Sequence, residues 1–475
     1  MALSQMLRKT KLIATLGPAS DSSGRIAEMI QAGMNVARLN FSHGSHEEHR
    51  RRLELVREAS RALGVRVAVM LDTKGAEIRT GALEGGSVDL VEGRPFCLFV
   101  GDVLGTKEGV SVSYRNLPHE VKLGSAILLD DGRIELRVTS LADDAIRCEV
   151  LRGGELANRA GVNVPDTSLT LSALDTDRRD DLRFAIDHEL DYIAASFVKS
   201  AADVAEIQRF VEGEGADIPI IAKIENREAV ESLEEIVAVA AGTMVARGDL
   251  GVELAVEEVP LVQKRIIRRT VMNGKPVITA TQMLDSMERN SRPTRAEASD
   301  VANAILDGTS AVMLSGETAK GRYPVEAVRT MSSLATKAEA SLGEYGDLQQ
   351  IVPRAAKVVT DGVAQAAVDL SRHLEAATIL TLTASGRTSR SISKYRPDCP
   401  ILAITTSESV ARRLALNWGV LAVPFEGDGD DERQVRFGVE RARELGLARP
   451  GEVVIVTAGI SGEAGSTNLI RVVNA

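Results

Sequence analysis

The sequence predicts a (β/α)8 TIM barrel with an inserted all-β lid domain and a C-terminal α/β regulatory domain. Three observations carry this expectation. Apolar runs and helix-like segments alternate eight times up to Ala340. The third connection, 81–164, is far longer than the others and changes texture. Past Ala340 a polar stretch, Ser341–Gln350, precedes a second alternation of strands and helices. The expected division is therefore 1–80 with 165–340 for the barrel, 81–164 for the insertion and 341–475 for the last domain.

A strand buried on both faces reads as a short continuous apolar run. Such runs occur at Lys11–Gly17, Met34–Ser42, Val65–Thr73, Leu190–Phe197, Pro219–Glu225, Thr243–Asp249, Pro276–Thr281 and Ser310–Gly316. Between them lie the helix-like segments Ser22–Ala32, His46–Leu63, Ala201–Gly213, Glu228–Val239, Val259–Asn273, Arg295–Asp307 and Pro324–Ala338. Leu261, Ile266, Ile267 and Val271 have the roughly helical spacing of one buried face. The helix owed to the third strand is delayed to Leu171–His188. Removing roughly 85 inserted residues leaves about 250, the usual barrel length. Inside the insertion, Ile134–Val138 and Ala145–Val150 alternate apolar and polar residues around an Asp143-Asp144 turn, the pattern of an antiparallel hairpin. Placed at the catalytic end of strand three, this domain is expected to act as a lid. The last domain reads as a helix near Ala355–Leu374 and strands Thr378–Ala384, Pro400–Thr406, Gly419–Phe425 and Glu452–Ala458. Helices Ser409–Asn417 and Asp431–Leu447 and an edge strand Thr467–Asn474 complete it.

Composition narrows the function classes. The formal net charge is −10, so there is no basic footprint for nucleic acid. No apolar run reaches transmembrane length, and Met1–Lys11 lacks a signal peptide's apolar core, so no membrane partner and a cytoplasmic setting are expected. Cys97, Cys148 and Cys399 are odd in number and scattered, which suits neither a disulfide framework nor a zinc site. No G-x-x-x-x-G-K-[ST] loop, G-x-G-x-x-G fingerprint or protein-kinase signature is present.

The chemistry gathers at strand C-termini, where parallel α/β proteins hold their ligands. Strand five ends in Lys223 and Glu225, and strand six ends in Ala246, Gly248 and Asp249. Two carboxylates and one cation suit a divalent metal holding an anionic substrate. In strand two, alternation puts Arg38, Asn40 and Ser42 on one side, an arginine for phosphate beside neutral oxygens. Strand three adds Asp72 and Thr73. Asn40, Ser42, Asp72 and Thr73 offer several oxygens but little charge, which suits a monovalent cation better than Mg2+. Thr281 and Ser315 bring hydroxyls to the same mouth. In the last domain, Thr383, Ser385, Gly386, Arg387 and Thr388 follow an apolar strand, where hydroxyls and backbone N–H groups form a phosphate cradle.

The segments KLIATLGPAS (11–20), NVARLNFSHGSH (35–46), LDTKGAEIR (71–79), ARGDLGVE (246–253), ITATQMLDSM (278–287) and PTRAEASDVANAILDG within 292–323 closely resemble the pyruvate kinase family. That resemblance covers the whole chain. It implies phosphoryl transfer from phosphoenolpyruvate to ADP, giving pyruvate and ATP. It implies Glu225 and Asp249 as ligands of Mg2+ (or Mn2+), with Lys223 and Arg38 on the phosphoryl group and Ala246–Asp249 backbone on the substrate carboxylate. It further implies Thr281 near the carbon to be protonated, Ser315 at the substrate, and Asn40, His43 and Arg79 at the nucleotide. Glu77 in the family accompanies dependence on K+, held here by Asn40, Ser42, Asp72 and Thr73. Ala76 stands where proline is usual and Asp166 where glycine is common, which bears on loop stiffness and hinge geometry. The family is typically a homotetramer with a phosphorylated allosteric effector in the 383–388 loop. Ala384 replaces a lysine of some fructose 1,6-bisphosphate-activated members, and Gly459–Asn468 carries no arginine or lysine. A monophosphate effector is therefore expected. A metal-dependent barrel lyase acting on pyruvate without nucleotide, and a non-catalytic effector-binding paralogue, are the competing readings.

Overall fold

The computed structural model describes residues 8–75, 78–165, 167, 169–170, 174–346, 358–427, 431–459 and 467–475. Parallel strands Lys11–Thr15, Val36–Asn40, Ala68–Asp72, Tyr192–Ala195, Ile220–Ile224, Gly242–Ala246, Val277–Ala280 and Ala311–Leu314 close into an eight-stranded barrel. Seven lie inside an expected apolar run and the sixth begins one residue ahead of its run, at Gly242; the first pairs with the eighth through Lys11↔Ala311. The runs lack alternation because both strand faces are buried in apolar surroundings. Outward side chains such as Leu12, Val69, Ile193 and Ile220 pack against the helices. Inward ones, among them Ile13, Val36, Met70, Tyr192, Ile221, Met244, Ile278 and Met313, fill the barrel.

Local chemistry fixes the helix starts. Ser45 caps His46–Leu63 in a reciprocal box with Glu48, and Thr294 does the same for Arg295–Leu306 with Glu297. Gly64 ends the first of these at φ +64, a left-handed turn that glycine adopts without strain. Three expectations are corrected. Leu261 is 70% exposed, because the buried face of Val259–Met272 is Gln263, Ile266, Ile267, Thr270 and Val271. That set follows i, i+3, i+4, i+7, i+8, with Gln263 satisfied by Asp307 and Thr270 by Thr243. The segment Glu228–Val239 breaks at Ser232 into Arg227–Glu231 and Leu233–Val239, serine being a poor helix-interior residue. The helix after the insertion starts at Thr176 rather than Leu171, capped by Asp175; residues 171–173 lie outside the described residues.

The insertion forms a seven-stranded sheet with Ile78–Arg79 at one edge, beside Gly161–Asn163, and Gly109–Val112 at the other, with a second two-stranded ribbon. The hairpin is present as Ile134–Ala142 against Ala145–Arg152. It has its own core around Phe96, Leu98, Ile134, Leu136 and Ile146, so it is a separate packing unit beside the barrel mouth. The C-terminal domain is a five-stranded sheet, four strands parallel, with Thr467–Asn474 antiparallel at one edge. It plugs the opposite end of the barrel. Leu416 is buried in the barrel's interior core, Tyr192 donates its hydroxyl to the Arg413 carbonyl at 2.7 Å, and Arg412 pairs with buried Asp191 at 2.8 Å. Among the described residues no helix is long and apolar enough to cross a membrane.

Candidate active site

The period of a strand builds the site. Side chains two residues apart share a face, and one step past the inward apolar residues Ile13, Val36, Met70, Ala194, Ile221 and Met313 come Thr15, Arg38, Asp72, Ser196, Lys223 and Ser315. The interior therefore changes from apolar to polar and charged as the strands reach their C-terminal ends. Glu225 follows one step beyond Lys223.

These groups are joined in one buried network. Arg38 donates Nε to Asp72 at 2.7 Å and Nη1 to Thr15 Oγ1 at 2.9 Å. The Lys223 ammonium lies 2.7 Å from Ser196 Oγ, 3.1 Å from Asp72 Oδ1 and 2.8 Å from Glu225 Oε1. Burial would raise the Asp72 carboxyl, but Arg38 and then Lys223 hold it below its ordinary value. For Lys223, burial disfavours the charge, yet Asp72 and Glu225 outweigh it and raise the ammonium above its usual range. Its carboxylate neighbours thus favour the charged form of Lys223 and fix it at the barrel mouth.

Glu225 is fully buried, and burial followed by the neighbouring Asp249 charge raises its carboxyl despite Lys223. Its Oε2 accepts the Phe197 N–H at 2.5 Å. Its Oε1 faces the Lys223 ammonium at 2.8 Å. A buried carboxylate costs free energy unless cations balance its charge, and here Lys223 is the cation of the chain that does so. Asp249 sits in the first turn of the neighbouring helix Arg247–Glu253. Two carboxylates on neighbouring strand ends, Glu225 and Asp249, fit a hard divalent cation that completes its shell with substrate and water oxygens. Among the described residues no cluster of three or more His, Cys, Asp or Glu side chains offers a self-contained metal cage.

Thr281 is held in a strained backbone at φ +67, followed by Gln282 at φ +52. A β-branched residue at positive φ is rare and costs on the order of 1–3 kcal/mol. The conformation is pinned by Arg247, which donates to the Thr281 carbonyl at 2.7 Å and pairs with Asp300 at 2.7 Å. The Thr281 hydroxyl accepts the Gly248 N–H at 2.8 Å, so that N–H is already engaged. Ser315 Oγ is buried without a hydrogen-bond partner, while its N–H is taken by Glu317 at 2.7 Å.

A cleft of about 630 Å3 opens between the inserted domain and this mouth, with Arg79, Phe197, Asn226, Asp249 and Glu253 in its walls. Arg79 is exposed and donates to the Arg159 carbonyl at 2.9 Å within the inserted domain. Asn163 reaches across to Glu253 at 3.2 Å. Asn40 lies beside Asp72 in register, and its Oδ1 accepts the Ser42 N–H at 3.2 Å. Thr73 Oγ1 accepts the Ser196 N–H at 3.0 Å. Asp72 is itself shared by Arg38 at 2.7 Å and Lys223 at 3.1 Å. His43 is exposed and is not among the residues lining the cleft. Ala76, Glu77 and Asp166 lie outside the described residues.

Ser196, Arg247 and Glu317 escaped the sequence reading. Ser196 was legible from the two-residue step beyond Ala194; Arg247 and Glu317 act through loop geometry that periodicity does not report. In the C-terminal domain the 383–388 loop divides. Thr383 and Thr388 are buried, the latter bonded to Thr467 at 2.6 Å. Gly386 adopts φ +76, and Ser385 and Arg387 turn toward the barrel floor. Positions 460–466 of the facing loop lie outside the described residues.

Known proteins share this fold and much of this sequence. The family model "Pyruvate kinase, barrel domain" matches residues 7–328, and "Pyruvate kinase, alpha/beta domain" matches residues 361–473. A pyruvate kinase of Geobacillus stearothermophilus is 50% identical over 471 residues, covering 98% of this chain and 80% of its own. One from Bacillus licheniformis is 48% identical over 469 residues with the same coverage. The crystal structure of a pyruvate kinase from Cryptosporidium parvum superposes with a TM-score of 0.94 at 39% identity, covering 100% of this chain and 97% of that one. With both domain models matched and half-identical relatives along nearly its whole length, the chain belongs to the pyruvate kinase family.

Proposed function

We propose that the chain transfers the phosphoryl group of phosphoenolpyruvate to ADP in the cleft between barrel and inserted domain. The observation that carries the reading is the buried Lys223 ammonium, ion-paired with Glu225 and sharing Asp72 with Arg38. In the transfer, the bond from phosphorus to the enol oxygen breaks and a bond to the terminal phosphate oxygen of ADP forms. The leaving enolate is then protonated at C3 to give pyruvate. Such a transition state is loose, so fixed cations and positioning do most of the work.

Lys223 neutralises the moving phosphoryl group, and Arg38 faces it from strand two. Asp72 and Ser196 keep Lys223 from collapsing onto Glu225 alone. Glu225 and Asp249 would hold Mg2+ or Mn2+, which supplies Lewis-acid polarisation of the substrate's carboxylate and bridging oxygens when bound. Backbone N–H groups of Ala246, Gly248 and Asp249 would receive that carboxylate, Gly248 by exchanging its bond to the Thr281 hydroxyl, and Ser315 Oγ offers a further donor. Thr281 stands where C3 needs a proton; a threonine hydroxyl is a weak acid, so it acts by ordering water. Asn40, His43 and Arg79 address ADP, with a second divalent ion arriving on the nucleotide. K+ would be held by Asn40, Ser42, Asp72 and Thr73, adding positive charge beside the phosphoryl path.

The reading extends to a cytoplasmic homotetramer regulated by a phosphorylated effector at Thr383, Ser385, Gly386, Arg387 and Thr388. Conversion of Glu225→Gln and Asp249→Asn tests the metal role. Mn2+ binding, followed by the loss of free-ion paramagnetic signal, should weaken by an order of magnitude or more in each. Unchanged Mn2+ affinity in both folded variants would remove these residues from the metal site.

A further inference from the structure

Lys11 is the first residue of barrel strand one, at the end of the barrel that the C-terminal domain plugs. It is 6% exposed, and its Nζ donates to the Val420 carbonyl at 2.7 Å. The nearby Glu339 carboxylate is already engaged, accepting the Lys9 and Thr10 N–H groups at 3.0 and 2.6 Å. A buried ammonium with only a carbonyl beside it is costly, so the amine sheds its proton. Burial and then Arg8 bring it down to about 7, against the pull of Glu339. At pH 7.5 about three-quarters of such amines are neutral, compared with about one in a thousand for an ordinary lysine. Lys11 also lines a cavity of about 130 Å3 between the two domains, together with Arg8, Asn35, Arg66 and Arg441. Among the described residues no aspartate or glutamate lines it. Arg66 is paired with Glu408 at 3.1 Å, and Arg8 donates to the Thr10 and Gly33 carbonyls, Ser332 and Asn35. Arg441 differs. Its Nη1 meets Glu444, but its Nε is buried with no hydrogen-bond partner among the described residues.

The cavity thus brings together a nucleophilic amine, an unpartnered cationic donor and no negative charge. The electrophile that suits it is small and uncharged on entry and becomes an anion on addition, and carbon dioxide has both properties. We propose that Lys11 is a carbamylation site for carbon dioxide, its carbamate oxygens accepting from Arg441 Nε. The nitrogen lone pair attacks the carbon, and an N–C bond forms as one C=O π pair moves onto oxygen. The nitrogen then releases a proton to water, so amine and CO2 give carbamate and H+. One N–H remains on the nitrogen and keeps the bond to the Val420 carbonyl. The new charge lies in the field of Arg8, Arg66 and Arg441, which offsets the cost of burying it. In the unfolded chain the amine returns to its ordinary range and is protonated, so the adduct belongs to the folded state. Carbon dioxide therefore stabilises the packing of the C-terminal domain on the barrel by linkage. The site lies at the opposite end of the barrel from Lys223 and does not depend on the phosphoryl-transfer reading.

Carbon-13 NMR of the full chain in labelled bicarbonate at pH 7.5 tests this, with a parallel sample trapped by a trialkyloxonium salt for peptide mass spectrometry. A protein carbamate resonance, distinct from free CO2 and bicarbonate, should appear, and the trapped alkyl carbamate should sit on the peptide carrying Lys11. Both should be lost in Lys11→Met and in Lys11→Arg, whose guanidinium stays protonated and is no nucleophile. Arg441→Gln should raise the CO2 needed for half occupancy about tenfold, the effect of one charge-assisted hydrogen bond. Lowering the pH to 6 at fixed, sub-saturating CO2 should cut the adduct about eightfold or more as the amine protonates. At fixed pH and ionic strength the melting temperature should rise with CO2 in the wild type and not in Lys11→Met. Should Lys11→Met fail to fold, the trapped peptide of the wild type and the Arg441→Gln titration decide. Absence of a Lys11 carbamate in the folded wild type at saturating CO2 overturns the proposal, as does bicarbonate bound without a covalent adduct. A carbamate unchanged in Lys11→Met sits on another amine and overturns it too. Unchanged half occupancy in Arg441→Gln removes the oxygen contact and overturns the site as stated.

Discussion

Replacing Lys223 by methionine removes the cation while keeping most of the stem's volume. The ammonium touches Ser196, Asp72 and Glu225 within 3.1 Å, so two carboxylates lose a partner together. Breaking a buried pair by deleting one member costs on the order of 3–5 kcal/mol when the remaining charge is stranded. Here the damage is limited. Asp72 keeps Arg38 at 2.7 Å, and Glu225, already raised by burial, takes up a proton instead of standing as a bare charge. The catalytic loss is larger in consequence. Removing one charged donor from a developing oxyanion costs about 3–4 kcal/mol, on the order of 10²–10³ in rate. Rapid-quench measurement of ATP formed in a single turnover, with phosphoenolpyruvate, ADP and Mg2+ saturating, reads the chemical step. Lys223→Arg should not rescue it, because a planar fork cannot occupy the same point between three oxygens. A folded Lys223→Met enzyme within about threefold of wild type would refute the reasoning.

Ser196→Ala should lower kcat about tenfold or more through the lost charge-assisted bond to Lys223, with little change in KM for phosphoenolpyruvate; a change in KM alone would assign it to binding. Thr281→Gly should leave the melting temperature nearly unchanged, because the lost hydroxyl bonds are offset by relief of φ +67, while C3 protonation, followed by solvent isotope incorporation, slows; a drop of many degrees would mean the strain reading is wrong. K+ should activate relative to a bulky organic cation, and equal rates in both would count against the monovalent site. Burial and then Arg8, opposed by Glu339, bring the Lys11 ammonium down to about 7, so from pH 7 to about 10.5 the unfolded chain binds the extra proton and stability rises with pH. Lys11→Met removes this dependence. Its stability relative to wild type should be most favourable below pH 7 and decline steadily above it, whereas a constant difference would show that Lys11 is not held neutral.

The strands were legible because two-sided burial leaves an unmistakable apolar run, and the site followed because charge at the end of such a run has only the barrel mouth to face. Which side each residue takes was not legible in most strands: Ile220 packs outward and Ile221 inward, and both are apolar. Once the interior set is known, Ser196 falls on it two residues after Ala194. The exposure of Leu261 was misread because the polar Gln263 and Thr270 occupy the buried face and find partners there. Thr281's strain and its clamp by Arg247 come from a turn after strand seven, where neither period nor propensity speaks. The pairing of Asp72 with two cations likewise emerges only when strands two, three and five close on one another. The cationic cavity beneath the barrel joins Arg8, Arg66 and Arg441 from distant parts of the sequence, each of which alone reads as a solvated charge.

The central claim is tested most directly by incubating the full chain with phosphoenolpyruvate and ADP, with and without Mg2+, and measuring ATP and pyruvate together. The account predicts the two products in equal amounts, dependent on the divalent ion and lost in Lys223→Met. Pyruvate released without ATP, or ATP formation indifferent to Mg2+ and to Lys223, would contradict it.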